Sequence, residues 1–230
     1  MSLVLGIVPA RGGSKGVPGK NVRPLAGRTL LEYTARAARE SGVLDRVILS
    51  TDSPEIADTG RRAGLDVPFM RPVALASDDT PMLAVIQHAL ESLARDGWSP
   101  DMIVLLQPTS PLRRPDHIRA AVTTLHDTKA DSVVTVVEIP RHLSPDYVMR
   151  LDGGRLQPFL PEGARVTRRQ DARPAYSRDG TVYAFWRATI ERFGGIYGAD
   201  CRPLLIDARE SLSIDSPADW DAAERLLAGR

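Results

Sequence analysis

Apolar residues along this chain fall into short, nearly continuous runs separated by stretches with helical spacing. Residues 3–8, 46–50, 101–106 and 131–138 are aliphatic-rich runs of strand length, bounded by proline, glycine or charged residues. The run at 101–106 offers no polar face to water, which predicts a central strand among parallel neighbours. Between the runs, residues 29–41, 54 to about 64, 81–95 and 114–127 read as helices. Gly42 stands where the first helix must stop, and Pro54 follows a Thr51-Asp52-Ser53 cap. Leu83, Ile86, Leu90 and Leu93 share one face of the third helix. A short strand at 67–70 precedes Arg71-Pro72. Repeated strand–helix alternation predicts an α/β fold with an open parallel sheet and helices on both faces.

Residues 139–178 interrupt that alternation. Pro140, Pro145, Pro158, Pro161 and Pro174, with a Gly153-Gly154 turn, leave room only for short strands at 147–151 and 155–159. The segment reads as a hairpin-bearing excursion suited to covering a site or meeting a partner subunit. Strand character returns at 181–186, and Ser216-Pro217-Ala218-Asp219 opens a last helix that runs to about 227. Residues 1–230 thus form a single domain in this reading, with 139–178 as its insertion.

Composition narrows the class. At 230 residues and 43% hydrophobic, the chain has enough apolar material for one large core without disulfides. A single cysteine, Cys201, excludes an internal bridge and a cysteine-rich metal cluster, and it reads as a packing residue. Thirty basic against twenty-nine acidic residues give a net charge of +1, which argues against broad nucleic-acid binding. The apolar start reaches Pro9 and Arg11 with no basic region before it, so neither a signal peptide nor a membrane span is expected. A cytoplasmic enzyme is the expectation. Its basic residues are concentrated locally, at 11–28 and again at 165–178.

The first of these patches carries the strongest chemical signal. Pro9-Ala10-Arg11-Gly12-Gly13-Ser14-Lys15-Gly16 and then Gly19-Lys20-Asn21 follow the first strand, at the end where open α/β sheets bind ligands. Gly12, Gly13, Gly16 and Gly19 can take positive φ and let backbone N–H groups approach an anion. Arg11, Lys15 and Lys20 add charge, the arginine as a planar fork and the lysines as mobile points. The spacing matches neither a P-loop nor a dinucleotide fingerprint. A solvated basic turn is the alternative, but ordering one without a ligand is entropically costly.

Further polar groups follow other strands. Gln107, Thr109 and Ser110 suit recognition of a sugar hydroxyl or carboxylate, or else cap the next helix. Arg71, directed by Pro72, faces a base edge or phosphate, or is a surface arginine. Arg168, Arg169, Arg173 and Arg178 would meet an anionic co-substrate or a dimer interface, and the two readings are compatible. Asp215 either holds Mg²⁺ against a triphosphate or braces the last helix.

Together the 9–21 loop, Gln107-Pro-Thr-Ser-Pro-Leu-Arg113, Arg168-Arg-Gln-Asp171 and Ile214-Asp-Ser-Pro-Ala-Asp219 resemble the acylneuraminate cytidylyltransferase family over nearly the whole chain. The resemblance implies a Rossmann-like, mostly parallel nucleotidyltransferase sheet with a small β-rich dimerisation excursion, acting as a homodimer. It implies transfer of CMP from CTP to the anomeric hydroxyl of a 2-keto sugar acid of sialic, legionaminic or pseudaminic type, with Mg²⁺ and release of pyrophosphate. Lys20 and Arg11 would then be catalytic. Ala10, Arg11, Gly12, Gly13, Ser14, Lys15, Asn21, Arg71 and the backbone near Ala76 would bind nucleotide. Gln107, Thr109, Arg168, Arg169 and Tyr176 would bind the acceptor, and Asp215 the metal. No nucleic-acid or membrane partner is implied. One departure stands out: the family often carries Asp-Ile-Asp where this chain has Ser213-Ile214-Asp215. It leaves room for another anionic acceptor, such as a 3-deoxy-octulosonate-like acid or a phosphonate, and for a non-catalytic nucleotide-binding protein.

Overall fold

The computed structural model describes residues 2–13 and 15–229. Among them, in chain order, are β1 (Val4–Pro9), α1 (Leu30–Ser41), β2 (Arg46–Ser50), α2 (Pro54–Arg62), α3 (Met82–Arg95), β3 (Met102–Leu105) and α4 (Pro115–Thr128). There follow β4 (Ser132–Glu138), β5 (Met149–Asp152), β6 (Arg155–Pro158), β7 (Tyr176–Trp186), α5 (Arg187–Phe193), β8 (Cys201–Leu205) and α6 (Pro217–Ala228). The ends marked by Gly42 and by Ser216 fall where the sequence puts them, and α1 begins one residue later than the spacing predicts, with Thr29 as its cap. Thr29 and Glu32 close a capping box on α1, Gly42 ends that helix in the left-handed region, and Ser216 with Asp219 boxes the start of α6.

A six-stranded sheet has the order β2-β1-β3-β7-β4-β8. β1 is parallel to β2 and β3, β4 is parallel to β8, and β7 is antiparallel to both β3 and β4. The sheet is therefore mostly parallel, with one reversed strand that the alternation of elements did not disclose. Reversal brings the first residues of β7 over the carboxyl ends of its neighbours, the end from which the loop after β1 also emerges.

Side chains alternate across the sheet into two cores. Val4, Val8, Met102 and Val104 pack with Leu31 and Ala35 of α1 and Ile118 and Leu125 of α4. Leu5, Ile7, Ile103 and Leu105 pack on the other face with Ile86 and Leu93 of α3 and Ile190 of α5. Helices on both faces explain why these strands are apolar throughout. A third cluster joins Val17 of the first loop, Leu25, Leu30 and Ile214 to Trp220 and Ala223 of α6. It docks the last helix against the first loop.

Several expectations change. Residues 67–70 form no strand; there is only an isolated bridge between Ile48 and Asp66. β7 begins at Tyr176, so the excursion outside the main sheet spans 139–175. Its β5–β6 hairpin turns at Gly153-Gly154, as expected. α5 and β8 went unforeseen because glycines interrupt residues 194–198 and β8 is an exposed edge strand. Cys201, read as a packing residue, is exposed on β8. Of the loop glycines, Gly19 alone has positive φ, at +68°. Gly16 is required for a different reason, since a Cβ there would collide with the Asp215 carbonyl oxygen.

Arg113 ties the turn after β3 into this frame. Its guanidinium is buried and donates to the Thr181 carbonyl (2.6 Å), to Thr34 Oγ1 (3.2 Å) and to the Gln107 carbonyl. Burial pulls its pKa down to about 9, the Asp179 carboxylate partly opposes this, and the group stays charged at neutral pH. Arg113→Met takes the guanidinium donor from the buried Thr181 carbonyl and Thr34 hydroxyl and leaves the Gln107 carbonyl only the Ser110 N–H, so unfolding in urea should show a loss of about 2–4 kcal/mol. A loss below about 0.5 kcal/mol, the range of an ordinary surface substitution, contradicts this anchoring role.

Candidate active site

At the carboxyl ends of β1 and β3 lies a cavity of about 370 Å³. Pro9, Ala10, Arg11, Lys15, Gly16, Lys20 and Asn21 line one side, with Arg71, Met82, Gln107, Pro108, Thr109, Ser213 and Asp215 completing it. Segments distant in sequence thus meet at one place. A larger cavity of about 710 Å³ lies between α1 and the 111–115 turn. Two of its lining arginines are already paired, Arg36 with Glu40 of the same lining and Arg114 with Glu210 outside it, so it offers less to an incoming anion.

Lys20 is the most firmly held cation of the loop. Its Nζ donates to the Ile214 carbonyl at 2.6 Å and lies 3.6 Å from Asp215 Oδ1, with only 13% of the side chain exposed. Asp215 is 71% exposed and accepts a hydrogen bond from Ser213 Oγ at 2.8 Å. Arg11 and Lys15 both pair with Asp78, on the loop that follows Arg71. That pairing holds the Asp78 carboxyl below its ordinary range, through the hydrogen bond from Lys15 first and then that from Arg11. The clamp is fully formed above the usual carboxylate pKa and is lost only as pH falls through the depressed one.

Backbone and side chains around these cations are also fixed. Asn21 is buried and reaches the Arg11 carbonyl at 3.4 Å, and the Gly12 N–H donates to Asp52 at 3.0 Å. Arg71 is buried, not a surface group. Its Nε donates to Ser50 Oγ at 3.1 Å, and a second guanidinium nitrogen donates to the Ser50 carbonyl. Burial draws its pKa down to about 10; Asp52 opposes that shift and Arg11 adds to it. The Thr109 carbonyl accepts from the Ile214 N–H at 2.9 Å, joining the turn after β3 to the closing segment.

Other candidates stand apart from this cavity. Gly12 and Gly13 are exposed on the loop outside its lining, and Ser14 lies outside the described residues. Ala76 ends a 3-10 turn two residues before Asp78 and reaches the cavity only through that loop. Arg168 is exposed and bound to Asp171 at 2.8 and 3.0 Å, while Arg169 and Tyr176 are exposed beyond the cavity wall. Asp52, Asp78, Tyr183 and Tyr197 were not foreseen. Asp52 lies two residues past the end of β2, a position that flags ligand chemistry; the pairing of Asp78 with residue 11 has no local signature.

A doubly covered α/β sheet with a cationic loop at its carboxyl end defines a nucleotidyltransferase-type architecture, and comparison makes the class specific. A sequence profile of the cytidylyltransferase family matches residues 5–193. CMP-N,N'-diacetyllegionaminic acid synthase of Legionella pneumophila is 35% identical over 227 residues, 97% of this chain and 96% of that protein. N-acylneuraminate cytidylyltransferase of Oncorhynchus mykiss is 32% identical over 97% of this chain, which spans 50% of it. A solved CMP:2-keto-3-deoxy-manno-octonic acid synthetase complexed with CTP shares the fold, with a TM-score of 0.74 over 99% of both chains at 17% identity. The chain belongs to the cytidylyltransferase family.

The Asp78 clamp occupies cations that an incoming polyphosphate would need. Asp78→Asn should therefore bind inorganic pyrophosphate about two- to tenfold more tightly by calorimetry, the range set by two solvent-exposed pairs. Unchanged or weaker binding contradicts competition at this point.

Proposed function

We propose that this protein transfers CMP from CTP to the anomeric hydroxyl of a 2-keto sugar acid of sialic, legionaminic or pseudaminic type. The hydroxyl oxygen forms a bond to the α-phosphorus, the bond to the bridging oxygen of the β-phosphate breaks, pyrophosphate leaves and the hydroxyl proton passes to solvent. The observation that carries the reading is the convergence of Arg11, Lys15, Lys20 and Asp215 on one cavity, in a chain related along its length to a CMP-nonulosonic acid synthase. A cytoplasmic location, where CTP is supplied, belongs to the same proposal.

Arg11 and Lys15, released from Asp78, would bind the β- and γ-phosphates, and Lys20 the phosphate under attack. Lys20 is positioned in advance by the Ile214 carbonyl, so little reorganisation accompanies charge development. Asn21 braces the loop, and Ala10 with the backbone of residues 12, 13 and 15 would allow close approach of the nucleotide. Arg71 and the backbone near Ala76 would face the base, with Gln107 and Thr109 toward the acceptor. Arg168, Arg169 and Tyr176 would close over the acceptor from the 139–175 excursion. Leu143, Met149, Leu151, Leu156 and Phe159 are all exposed on that excursion, an apolar surface suited to a second copy of the chain in a homodimer.

Asp215 suits a metal ion that arrives with the nucleotide. It is one exposed carboxylate on the cavity wall, and the described residues contain no group of three or more ligands that would cage a resident ion. Mg²⁺ bound to Asp215, with phosphate oxygens and water filling its shell, would neutralise phosphoryl charge. Ser213 lends its hydroxyl to the Asp215 carboxylate and no second negative charge.

Release of pyrophosphate from CTP with a panel of 2-keto sugar acids, a phosphonate and a no-acceptor control tests the reading; absence of turnover with all the sugar acids contradicts it. Lys20→Ala should lower kcat by about 10²-fold or more with the fold intact by circular dichroism. Near-wild-type turnover removes Lys20 from this role. Ser213→Asp should lower the Mg²⁺ needed for half-maximal rate several-fold and tighten Mn²⁺ binding to the CTP complex in electron spin resonance. No change in either would show that position 213 lies outside the ion's reach.

A further inference from the structure

Three arginines of the second basic patch, Arg168, Arg173 and Arg178, have unequal fates. Arg168 is bound to Asp171, and Arg173 donates to Asp146 from both its backbone N–H and its guanidinium. Arg178 forms no pair with a carboxylate among the described residues. It donates instead to the Tyr197 hydroxyl at 2.6 Å, with its guanidinium carbon 5.2 Å from the centre of that ring. The adjacent carboxylate is occupied, since Asp179 accepts from both the backbone N–H and the hydroxyl of Thr181.

Arg178 lies outside the cavity's lining, on a bulge that reaches Gln107 of the cavity wall. Pairing between β4 and β7 jumps from Val134↔Tyr183 to Val136↔Arg178, and the Thr135 hydroxyl fills the gap by accepting from the Val182 N–H (2.8 Å) and donating to the Val182 carbonyl (3.0 Å). Within the bulge, Gly180 has φ +79°, and a Cβ there would lie 2.9 Å from Gln107 Oε1 and 3.9 Å from the Tyr183 hydroxyl. Tyr183 meets Tyr197 edge-on, with centroids 6.4 Å apart. A continuous wall therefore runs from Gln107 across the bulge to Tyr183, Tyr197 and Arg178.

We infer that Arg178, held by Tyr197, binds the carboxylate of the acceptor acid and sets the preference for an acid over a neutral sugar; this rests on the function proposed above. A planar guanidinium receives a carboxylate through two parallel hydrogen bonds. The Tyr197 hydroxyl and ring orient the fork before substrate arrives, so less freedom is lost on binding. With no carboxylate partner of its own, Arg178 need break no ion pair to engage the acceptor, unlike Arg168 and Arg173.

The test compares the best of three acids, N-acetylneuraminic, N,N'-diacetyllegionaminic and pseudaminic, with its methyl ester, in steady-state pyrophosphate release. Arg178→Gln should raise KM for the acid about 10- to 100-fold, as for loss of a charged hydrogen bond, and leave KM for CTP within about twofold. For the ester, wild type and variant should agree within about twofold, because the group that Arg178 reads is gone. Arg178→Lys should recover part of the loss, and Tyr197→Phe should give a smaller rise in KM for the acid. These two also carry the test if Arg178→Gln does not fold. Equal losses for acid and ester, or an unchanged KM for the acid, overturn the assignment alone. No turnover by the wild type with any of the acids overturns the proposed function and the assignment with it.

Discussion

The loop after the first strand and the segment before the last helix hold each other across 194 residues of sequence, through the bond from Lys20 Nζ to the Ile214 carbonyl. Gly16 permits the approach, because any side chain there would strike the Asp215 backbone. Val17 and Ile214 share a buried cluster with Trp220, and Arg23 lies over the Trp220 ring at 4.6 Å. The same contact places a cation and a carboxylate side by side at the mouth of the cavity. Without it, a glycine-rich loop would sample many conformations, and its charges would have no fixed direction.

The reversed strand supplies what a purely parallel sheet would not. β7 starts at the carboxyl end of β3, so its bulge meets Gln107 directly. The cavity acquires two chemically distinct sides, cations of the first loop on one and the neutral Gln107 and Thr109, with the β7 bulge behind Gln107, on the other. Arg113 binds both the turn that carries Gln107 and the Thr181 carbonyl of the bulge, so the two parts of that side share one anchor.

Much of this was legible in the sequence wherever a local rule governed the outcome. Runs buried on both faces gave β1 to β4, caps such as Ser53 and Ser216 gave helix starts, and glycines among cations marked the loop. Contacts that depend on long-range register were not legible. Nothing near Asp78 announces that it will reach Arg11 and Lys15, and nothing in residues 176–186 reveals that the strand runs backwards. Arg71 shows the same limit: its sequence allowed either a surface group or a directed one, and burial against Ser50 decided between them. β8 was missed because an exposed edge strand lacks the apolar signal that reveals a buried one.

A crystal structure of the protein with CTP and Mg²⁺, without acceptor, tests the central claim most directly. The triphosphate should lie along residues 11–21, with Lys20 Nζ in hydrogen-bonding reach of the α-phosphate, the Asp78 carboxylate withdrawn from Arg11 and the ion beside Asp215. A nucleotide bound in the larger cavity beside α1, or Lys20 still directed only at Ile214 and away from the phosphates, would contradict it.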